Sequence, residues 1–223
     1  LLFALSLING ECSLEITGKV ESKPYIDLTK AAMALFSAPN YHTPGHIDVE
    51  GDWSNGAFFL AANALGSSIA VANLSESSTQ GDKAVTQLLK NLKEYCVISA
   101  ADIPDLIPIL SVVAACSHGA VFTDIQRLRL KESDRVASVI YMITGLGGKA
   151  EATNTTLTIY GTGLTGGMVD SAADHRIAMS AAIAATACKM PVILKDAQCV
   201  EKSYPRFFEE YRRLGGQYEQ YLR

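Results

Sequence analysis

An internal repeat of four similar units constrains the fold of this chain more than any other feature. Each unit begins with an Ala- and Leu-rich helix, continues through a short strand and a polar loop, and ends in an amphipathic helix. The predicted buried helices span residues 1–9, 55–66, 105–117 and 174–189, the strands span residues 13–17, 68–73, 120–124 and 191–195, and the second helices span residues 26–36, 82–92, 131–145 and 205–214. Repeated units of this kind stack so that their apolar faces form one core. The repeat therefore predicts an α/β fold with apolar helices inside.

The four units differ in length. A long segment, residues 146–173, joins the third unit to the fourth and predicts two strands, at 149–153 and 155–160, and a Gly-rich loop at 161–167. The first two units have no equivalent segment, because they are truly shorter or because segments are missing from the chain. Abrupt joins at residues 38–41 and 93–96 favour missing segments. The chain also starts in the middle of a helix without an N-cap, so we expect it to begin inside a larger protein.

A dense cluster of charge lies in the third unit. Six charged residues fall in the nine positions from Arg127 to Arg135, in a chain that is 19% charged overall. The cluster lies between a predicted strand and a predicted helix, where helix N-termini favour anions. Lys131 and Arg135 are four residues apart and would share one helix face, with Glu132 beside them to move protons. The alternative is a solvated helix face with intrahelical ion pairs.

Charged residues also stand at the equivalent junctions of other units. Lys23 and Lys202 lie in strand-to-helix loops, as Lys131 does, and are either solvated or directed into one cleft. Asp105 and Asp174 open two of the buried helices as N-caps, and Asp105 can alternatively accept a proton from a substrate hydroxyl.

Arg176 stands at the entrance of an otherwise apolar helix. A guanidinium in that position either pairs with a carboxylate or binds an anionic ligand. The adjacent His175 is favoured as an orienting or structural residue rather than as a base. The glycines of residues 145–148 follow a helix and precede a strand, which predicts a helix C-cap and turn.

Composition excludes several classes of function. A formal net charge of −4 and a pI near 5.6 argue against a general nucleic-acid surface, so an anion site has to arise from local clustering. The five cysteines and four histidines show no metal-ligand spacing, and we predict no metal. Unpaired thiols fit a reducing, cytoplasmic compartment. No apolar run reaches the length of about 18 residues typical of a transmembrane helix.

Seven motif blocks together resemble those of the EPSP synthase (3-phosphoshikimate 1-carboxyvinyltransferase) family of enolpyruvyl transferases. The blocks are SKPYID at 22–27, VEGD at 49–52 with FFLAA at 58–62, QGD at 80–82, IPD at 103–105, KESDR at 131–135, DHR at 174–176 and KSYP at 202–205. They occur in the family's order and cover nearly the whole chain.

The resemblance implies an inside-out α/β barrel built from repeated β/α units with buried helices. A Pro-Gly turn before residue 48 suggests a boundary, with residues 1–48 as the last repeat of an N-terminal-side domain and residues 49–223 as a C-terminal domain of three repeats. The implied reaction is transfer of the enolpyruvyl group of phosphoenolpyruvate to the 5-hydroxyl of shikimate 3-phosphate, giving EPSP and phosphate. This is a step of the shikimate pathway of aromatic amino-acid biosynthesis and the target of glyphosate.

The resemblance also implies partners and residue roles. The partners are two small anionic substrates, without a metal, an organic cofactor, nucleic acid or a membrane, and the complete enzyme is implied to be a cytoplasmic monomer. Catalytic roles are carried over to Asp105 and Glu132, binding of phosphoenolpyruvate to Arg135, Arg176 and Lys202, and binding of shikimate 3-phosphate to Ser22, Asp105 and Lys131.

The chain departs from the family pattern in two ways. Arg127 stands where the family often has Asn, and it receives no role. The family's N-terminal half, with about half of the phosphate-binding residues, is absent, so we expect this chain to be inactive by itself. Two alternatives remain open: an enolpyruvyl transferase of the UDP-N-acetylglucosamine type, or a non-catalytic module of the same fold.

Overall fold

The computed structural model describes residues 1–18 and 20–221, which form eight α-helices and six strands. The helices are α1 (Leu2–Leu5), α2 (Lys23–Leu35), α3 (Trp53–Ala64), α4 (Val85–Asn91), α5 (Ile107–Cys116), α6 (Arg135–Gly145), α7 (His175–Ala185) and α8 (Phe207–Arg213). The strands are β1 (Cys96–Ser99), β2 (Ala120–Thr123), β3 (Lys149–Ala152), β4 (Thr156–Tyr160), β5 (Gly167–Asp170) and β6 (Val192–Lys195). Three 3₁₀ helices span Gly81–Ala84, Gln126–Leu130 and Ala197–Lys202.

The helices α3, α5 and α7 form the centre of the core, which confirms three of the four predicted buried helices. Every residue of α5 except Cys116 is buried, and α7 is buried except at Arg176 and Ala185. Their small and aliphatic side chains leave no polar face, so these helices must be surrounded on all sides. No helix in the described part of the chain is long and apolar enough to cross a membrane.

Two separate sheets pack around these helices. The larger has the strand order β1-β2-β4-β3, in which β1 and β2 are parallel and the other neighbours are antiparallel. The smaller pairs β5 with β6 in parallel. The larger sheet turns Ile98, Phe122, Leu157 and Ile159 into the core.

The third and fourth units end their second helices in the same way. Both α6 and α8 run into Leu-Gly-Gly, where Gly147 has φ +82° and Gly215 has φ +102°. The next glycine donates its N–H five residues back in each case, from Gly148 to Ile143 at 2.8 Å and from Gly216 to Tyr211 at 2.9 Å. This is a left-handed helix cap, as predicted for residues 145–148.

The buried helix and the strand of the first unit, and the strand of the second, were predicted wrongly, whereas the helix predicted at 26–36 is observed as α2. The predicted buried helix at 1–9 is the four-residue α1 without a buried residue, and residues 13–17 and 68–73 form no strand. An apolar helix is buried only when other elements cover it, and a strand is defined only by a partner for its backbone groups. Among the described residues, α1 contacts α2 but is not covered by it, and residues 13–17 and 68–73 pair with no strand. Ile69 and Asn73 instead form hydrogen bonds with the side chain of Asn63 and the backbone of Gly51.

The helix predicted at 131–145 begins at Arg135, four residues after the predicted start. Asp134 is its N-cap and accepts the N–H of Ala137 at 3.1 Å, whereas Lys131 is extended with ψ −160°. Lys131 and Arg135 therefore do not share a helix face. The prediction also missed β1, which lies in a segment left without structure, and β5, which starts at the end of the predicted Gly-rich loop.

The larger sheet supplies a test of the core. Phe122 in β2 is fully buried, and we expect Phe122→Ala to lower the free energy of unfolding by about 3–5 kcal/mol because of lost burial and the cavity left behind. Val97 in β1 is 64% exposed, and Val97→Ala should cost less than about 1 kcal/mol. Denaturant unfolding of both variants checks this, and equal losses would contradict the placement of β2.

Candidate active site

A fully buried guanidinium lies at the centre of the charge cluster. Arg135 is the first residue of α6, and its side chain has no exposed surface. Its Nε donates to Asp174 at 3.0 Å, its Nη1 to Asp105 at 2.7 Å, and its Nη2 to Glu132 at 2.6 Å. Burial alone would lower the pKa of Arg135, but the carboxylates, with Asp174 first, outweigh burial and raise it. The protonated arginine thus joins three carboxylates that come from different parts of the chain.

Asp105 is the most heavily paired of these carboxylates. It lies just before α5 and, besides Arg135, contacts the Nζ of Lys131 at 3.4 Å and the Nη2 of Arg176 at 3.0 Å. The hydroxyl of Tyr25 donates to its Oδ2 at 2.9 Å. Burial favours the neutral acid, but the charges of Arg176, Lys131 and Arg135 hold the pKa of Asp105 well below its usual range. Asp105 is therefore ionised, as a proton acceptor has to be.

Glu132 bridges a buried cation and a more exposed one. Its Oε2 accepts from Arg135, and its Oε1 accepts from the Nζ of Lys202 at 2.9 Å. The Lys202 side chain is 57% exposed and lies at the end of the 3₁₀ helix Ala197–Lys202. Burial opposes the charged form, but the hydrogen bond from Lys202 and the charges of both cations lower the pKa of Glu132 to about 2.

The N-terminus of α7 contributes to the same network. Asp174 accepts the N–H of Arg176 at 3.0 Å as the N-cap of α7, and it is also the buried partner of Arg135. Arg176 keeps one nitrogen, Nη1, buried and without a hydrogen-bond partner. His175 is buried with an unpaired Nδ1, and burial followed by the charge of Arg176 lowers its pKa. A neutral histidine agrees with its predicted structural role.

Ser22 lies at the edge of this network. Its hydroxyl accepts from the Nη1 of Arg127 at 3.1 Å, and its backbone N–H donates to Ala101 at 3.0 Å. Arg127, which received no role in the sequence analysis, therefore orients the Ser22 hydroxyl. Tyr25, three residues further on, makes the direct contact with Asp105.

The structure thus joins six of the seven predicted site residues in one network of ion pairs, and it reaches the seventh, Ser22, through neighbours. The six are Asp105, Lys131, Glu132, Arg135, Arg176 and Lys202. Tyr25 and the pairing of Asp174 with Arg135 were missed. The one signal for Tyr25 was its place in the SKPYID block. The N-cap role of Asp174 gave no indication that its carboxylate also pairs with Arg135.

The network has the composition of a site for anions. Four cations, Lys131, Arg135, Arg176 and Lys202, face three carboxylates, Asp105, Glu132 and Asp174, in a chain that is acidic overall. Converging cations in a partly buried site stabilise anionic ligands. No group of three or more His, Cys, Asp or Glu side chains among residues 1–18 and 20–221 is arranged to hold a metal ion.

Fold and site together define a class of mixed α/β proteins in which sheets pack around buried helices and charged residues converge at helix N-termini. The profile of the family described as EPSP synthase (3-phosphoshikimate 1-carboxyvinyltransferase) matches residues 1–102 and 93–211. The chain belongs to this family.

Individual relatives support the assignment. The 3-phosphoshikimate 1-carboxyvinyltransferase of Clostridium beijerinckii is 40% identical over 256 residues, which cover 99% of this chain and 59% of the relative. That of Clostridium kluyveri is 35% identical over 254 residues, covering 99% and 60%. The chain thus spans about 60% of the length of these relatives. The alignments are also longer than the 223 residues of the chain, so the relatives contain residues without a counterpart here, in agreement with the short first two units.

A solved structure supports the fold. The EPSP synthase of Acinetobacter baumannii superposes with a TM-score of 0.69 at 24% identity, covering 77% of this chain and 47% of the other. This likeness confirms the mixed α/β fold.

The double role of Asp174 gives a matched pair of variants. Asp174 and Asp134 are both N-caps with an arginine partner, but the first is fully buried and the second is 43% exposed. Asparagine keeps the cap and removes the charge. We expect Asp174→Asn to lower the free energy of unfolding by about 3–5 kcal/mol, because it leaves Arg135 undercompensated, and Asp134→Asn to cost less than about 1 kcal/mol. Equal effects in denaturant melts would show that Asp174 acts only as a cap.

Glu132 gives a pH-dependent test. Its pKa in the folded protein, about 2, lies below the ordinary value of 4.5, so it stabilises the fold above pH 4.5, and this contribution is lost as the pH falls through 2. The difference in unfolding free energy between the wild type and Glu132→Gln should therefore be largest near neutral pH and shrink toward pH 2. A difference that stays constant with pH would contradict the ion pairs of Glu132.

Proposed function

We propose that the whole protein in which these residues occur transfers the enolpyruvyl group of phosphoenolpyruvate to the 5-hydroxyl of shikimate 3-phosphate. The observation that carries the proposal is the convergence of Lys131, Arg135, Arg176 and Lys202 on two carboxylates, Asp105 and Glu132. Both substrates carry a phosphate and a carboxylate, so both need several cations. Family membership supplies the reaction, and the site supplies groups suited to it.

Arg135, Arg176 and Lys202 are proposed to bind phosphoenolpyruvate. Arg176 is the best prepared, because its unpaired Nη1 can donate to an incoming oxygen without breaking a bond. Lys202 is more than half exposed and can exchange Glu132 for a phosphate at little cost. All of the guanidinium nitrogens of Arg135 are engaged by the protein, so it binds an anion only if one of its carboxylates turns away.

Lys131, Asp105 and Ser22 are proposed to bind shikimate 3-phosphate. Lys131 is one-quarter exposed, and its contact with Asp105 is long enough, at 3.4 Å, to be replaced by a phosphate oxygen. The hydroxyl of Ser22 can donate to a second phosphate oxygen while it accepts from Arg127.

Asp105 and Glu132 are proposed to carry the proton transfers. Asp105 accepts the proton of the attacking hydroxyl. Glu132, protonated from solvent once substrate anions have raised its pKa, donates that proton to the methylene carbon and takes one back when phosphate leaves the tetrahedral intermediate. Both carboxylates are too acidic in the present arrangement for efficient exchange near neutral pH. Substrate anions compete for the same cations, which raises both pKa values toward the working range.

The proposed architecture is an inside-out barrel of two domains, with residues 1–48 in one and residues 49–223 in the other. In support, α2 has no buried residue, and many apolar side chains before residue 48 are exposed, Leu7 at 71% among them. The two-stranded sheet is also open beside β6, where a cavity of about 1120 Å³ is lined by Ile193 and Tyr218 among other apolar and polar residues. Further strands of the whole protein would close the barrel there. We also propose that the whole protein is a monomer and lies in the cytoplasm.

The proposal is tested by phosphate release from phosphoenolpyruvate and shikimate 3-phosphate. We expect turnover by the whole protein, none by residues 1–223 alone, and none when UDP-N-acetylglucosamine replaces shikimate 3-phosphate. In the whole protein, Arg176→Gln should lower kcat/KM by about 100-fold or more, because it removes a charge next to the reacting anion.

The control for this substitution is Arg206→Gln. Arg206 is 70% exposed and pairs with Glu209 and Glu210 on α8, away from the network, so kcat/KM should stay within about twofold of the wild type. Loss of activity in both variants, or in neither, would contradict the assignment of Arg176. Wild-type protein without turnover would overturn the proposed reaction itself.

A further inference from the structure

Asp82 is a buried carboxyl group that the proposed mechanism does not use. It lies in the 3₁₀ helix Gly81–Ala84 and is only 4% exposed. The hydroxyl of Ser54, in α3, donates a short hydrogen bond to its Oδ2, and its Oδ1 is buried without a partner. The other buried carboxylates of the site, Asp105 and Asp174, are paired with cations. Within the described residues, no cation forms such a pair with Asp82.

Asp82 nevertheless belongs electrostatically to the charge network. Its pKa is raised to about 6, and burial is the largest cause. The charge of Asp105 also raises this pKa, whereas the hydrogen bond from Ser54 and the charge of Arg176 lower it. Asp82 in turn raises the pKa of Tyr25, whose hydroxyl is bound to Asp105. The packing of the chain also places Asp82 beside this network. A Cβ at the preceding Gly81 would lie 2.6 Å from that of Pro24, the neighbouring Tyr25 donates to the Oδ2 of Asp105, and the Nη2 of Arg176 pairs with that same oxygen.

We propose that Asp82 is part of the anion-binding site and that its Oδ1 takes up one proton from solvent when an anion binds at Arg176. The proposal rests on the proposed function, in which Arg176 binds phosphoenolpyruvate. An anion on the free Nη1 of Arg176 cancels the positive charge that favours the ionised carboxylate, and it brings a negative charge nearby. The proton adds to Oδ1, Oδ2 still accepts from Ser54, and no other bond changes.

Two of the groups that face Asp82, Asp105 and Tyr25, do not titrate in the same range. The pKa of Asp105 is held well below neutrality, and burial followed by the charges of Asp82 and Asp105 raises the pKa of Tyr25 far above it. Asp52, at the start of α3, is engaged as an N-cap, and Lys83 donates to the carbonyl oxygens of Glu76 and Ser78. His175, beside Arg176, is the one rival for a proton near neutral pH, and its pKa is lowered.

The test is the pH profile of the KM for phosphoenolpyruvate, measured on the whole protein at saturating shikimate 3-phosphate between about pH 5.5 and 8. If the bound anion raises the pKa of Asp82 by about one unit, the wild type gains about tenfold in apparent affinity from this group as the pH falls. Asp82→Asn imitates the protonated acid, so this tenfold change should disappear, and at high pH its KM should lie about tenfold below that of the wild type at the same pH. Titration of the ligand and of His175 is common to both proteins and cancels in the comparison.

Two further variants sharpen the test. Ser54→Ala removes the hydrogen bond that lowers the pKa of Asp82, so it should move the wild-type profile toward higher pH without abolishing it. Asp134→Asn removes a carboxylate that pairs with Arg129 and should leave the profile unchanged. A merely structural role of Asp82 would alter the thermal midpoint of unfolding without a change in the pH profile.

Each outcome decides the proposal. Asp82→Asn protein that turns over with a wild-type pH profile would overturn the role of Asp82 while the proposed reaction stands. If Asp82→Asn does not fold, an unshifted profile of Ser54→Ala overturns it instead. Absence of turnover in the wild type would be a failure of the proposed function and not of this inference alone.

Discussion

The site depends on one interaction, the burial of the guanidinium of Arg135 among three carboxylates. A charge without solvent costs several kcal/mol unless its hydrogen-bond donors are satisfied, and Asp105, Glu132 and Asp174 satisfy those of Arg135. The three acids come from the loop before α5, the turn before α6 and the N-cap of α7. The arginine therefore fixes the N-terminal ends of three helices relative to one another, and the remaining cations are arranged around the acids that it holds.

The same pairing sets the resting state of the chemistry. The two carboxylates proposed for proton transfer, Asp105 and Glu132, are both paired with cations, which makes them weak bases. In the proposed reaction, substrate anions have to compete with these acids for Lys131, Arg176 and Lys202. Substrate binding and activation of the carboxylates then occur together. Each cation that binds a substrate no longer pairs with its carboxylate, and the pKa of that carboxylate rises. The exposed Lys202 is the easiest cation to exchange, and the buried Arg135 is the hardest.

The parts of the fold that could be predicted from the sequence are those determined by local composition. Helices α3, α5 and α7 were found because Ala-, Ile- and Val-rich runs without a polar face have to be surrounded. The segments 1–9, 13–17 and 68–73 were predicted wrongly because burial and strand pairing depend on neighbours that local pattern does not reveal. The start of α6 was misplaced because Asp134 caps the helix after Lys131. A contact such as that between Tyr25 and Asp105, which are 80 residues apart, cannot be inferred from the spacing of residues along the sequence.

The segment before residue 48 is held chiefly at the site rather than through the core. Helix α2 buries none of its residues, yet its N-terminus is tied to the loop before α5 by the backbone N–H of Lys23, which donates to Asp102 at 3.1 Å, and by Tyr25 on Asp105. A Cβ at Gly81 would lie 2.6 Å from that of Pro24, so only glycine permits this approach. In the proposed division into two domains, these contacts join one domain to the other at the catalytic carboxylate. A substrate hydroxyl that takes the place of Tyr25 on the Oδ2 of Asp105 would then weaken the attachment of α2. Substrate binding would thus be coupled to the position of this segment through that one oxygen atom.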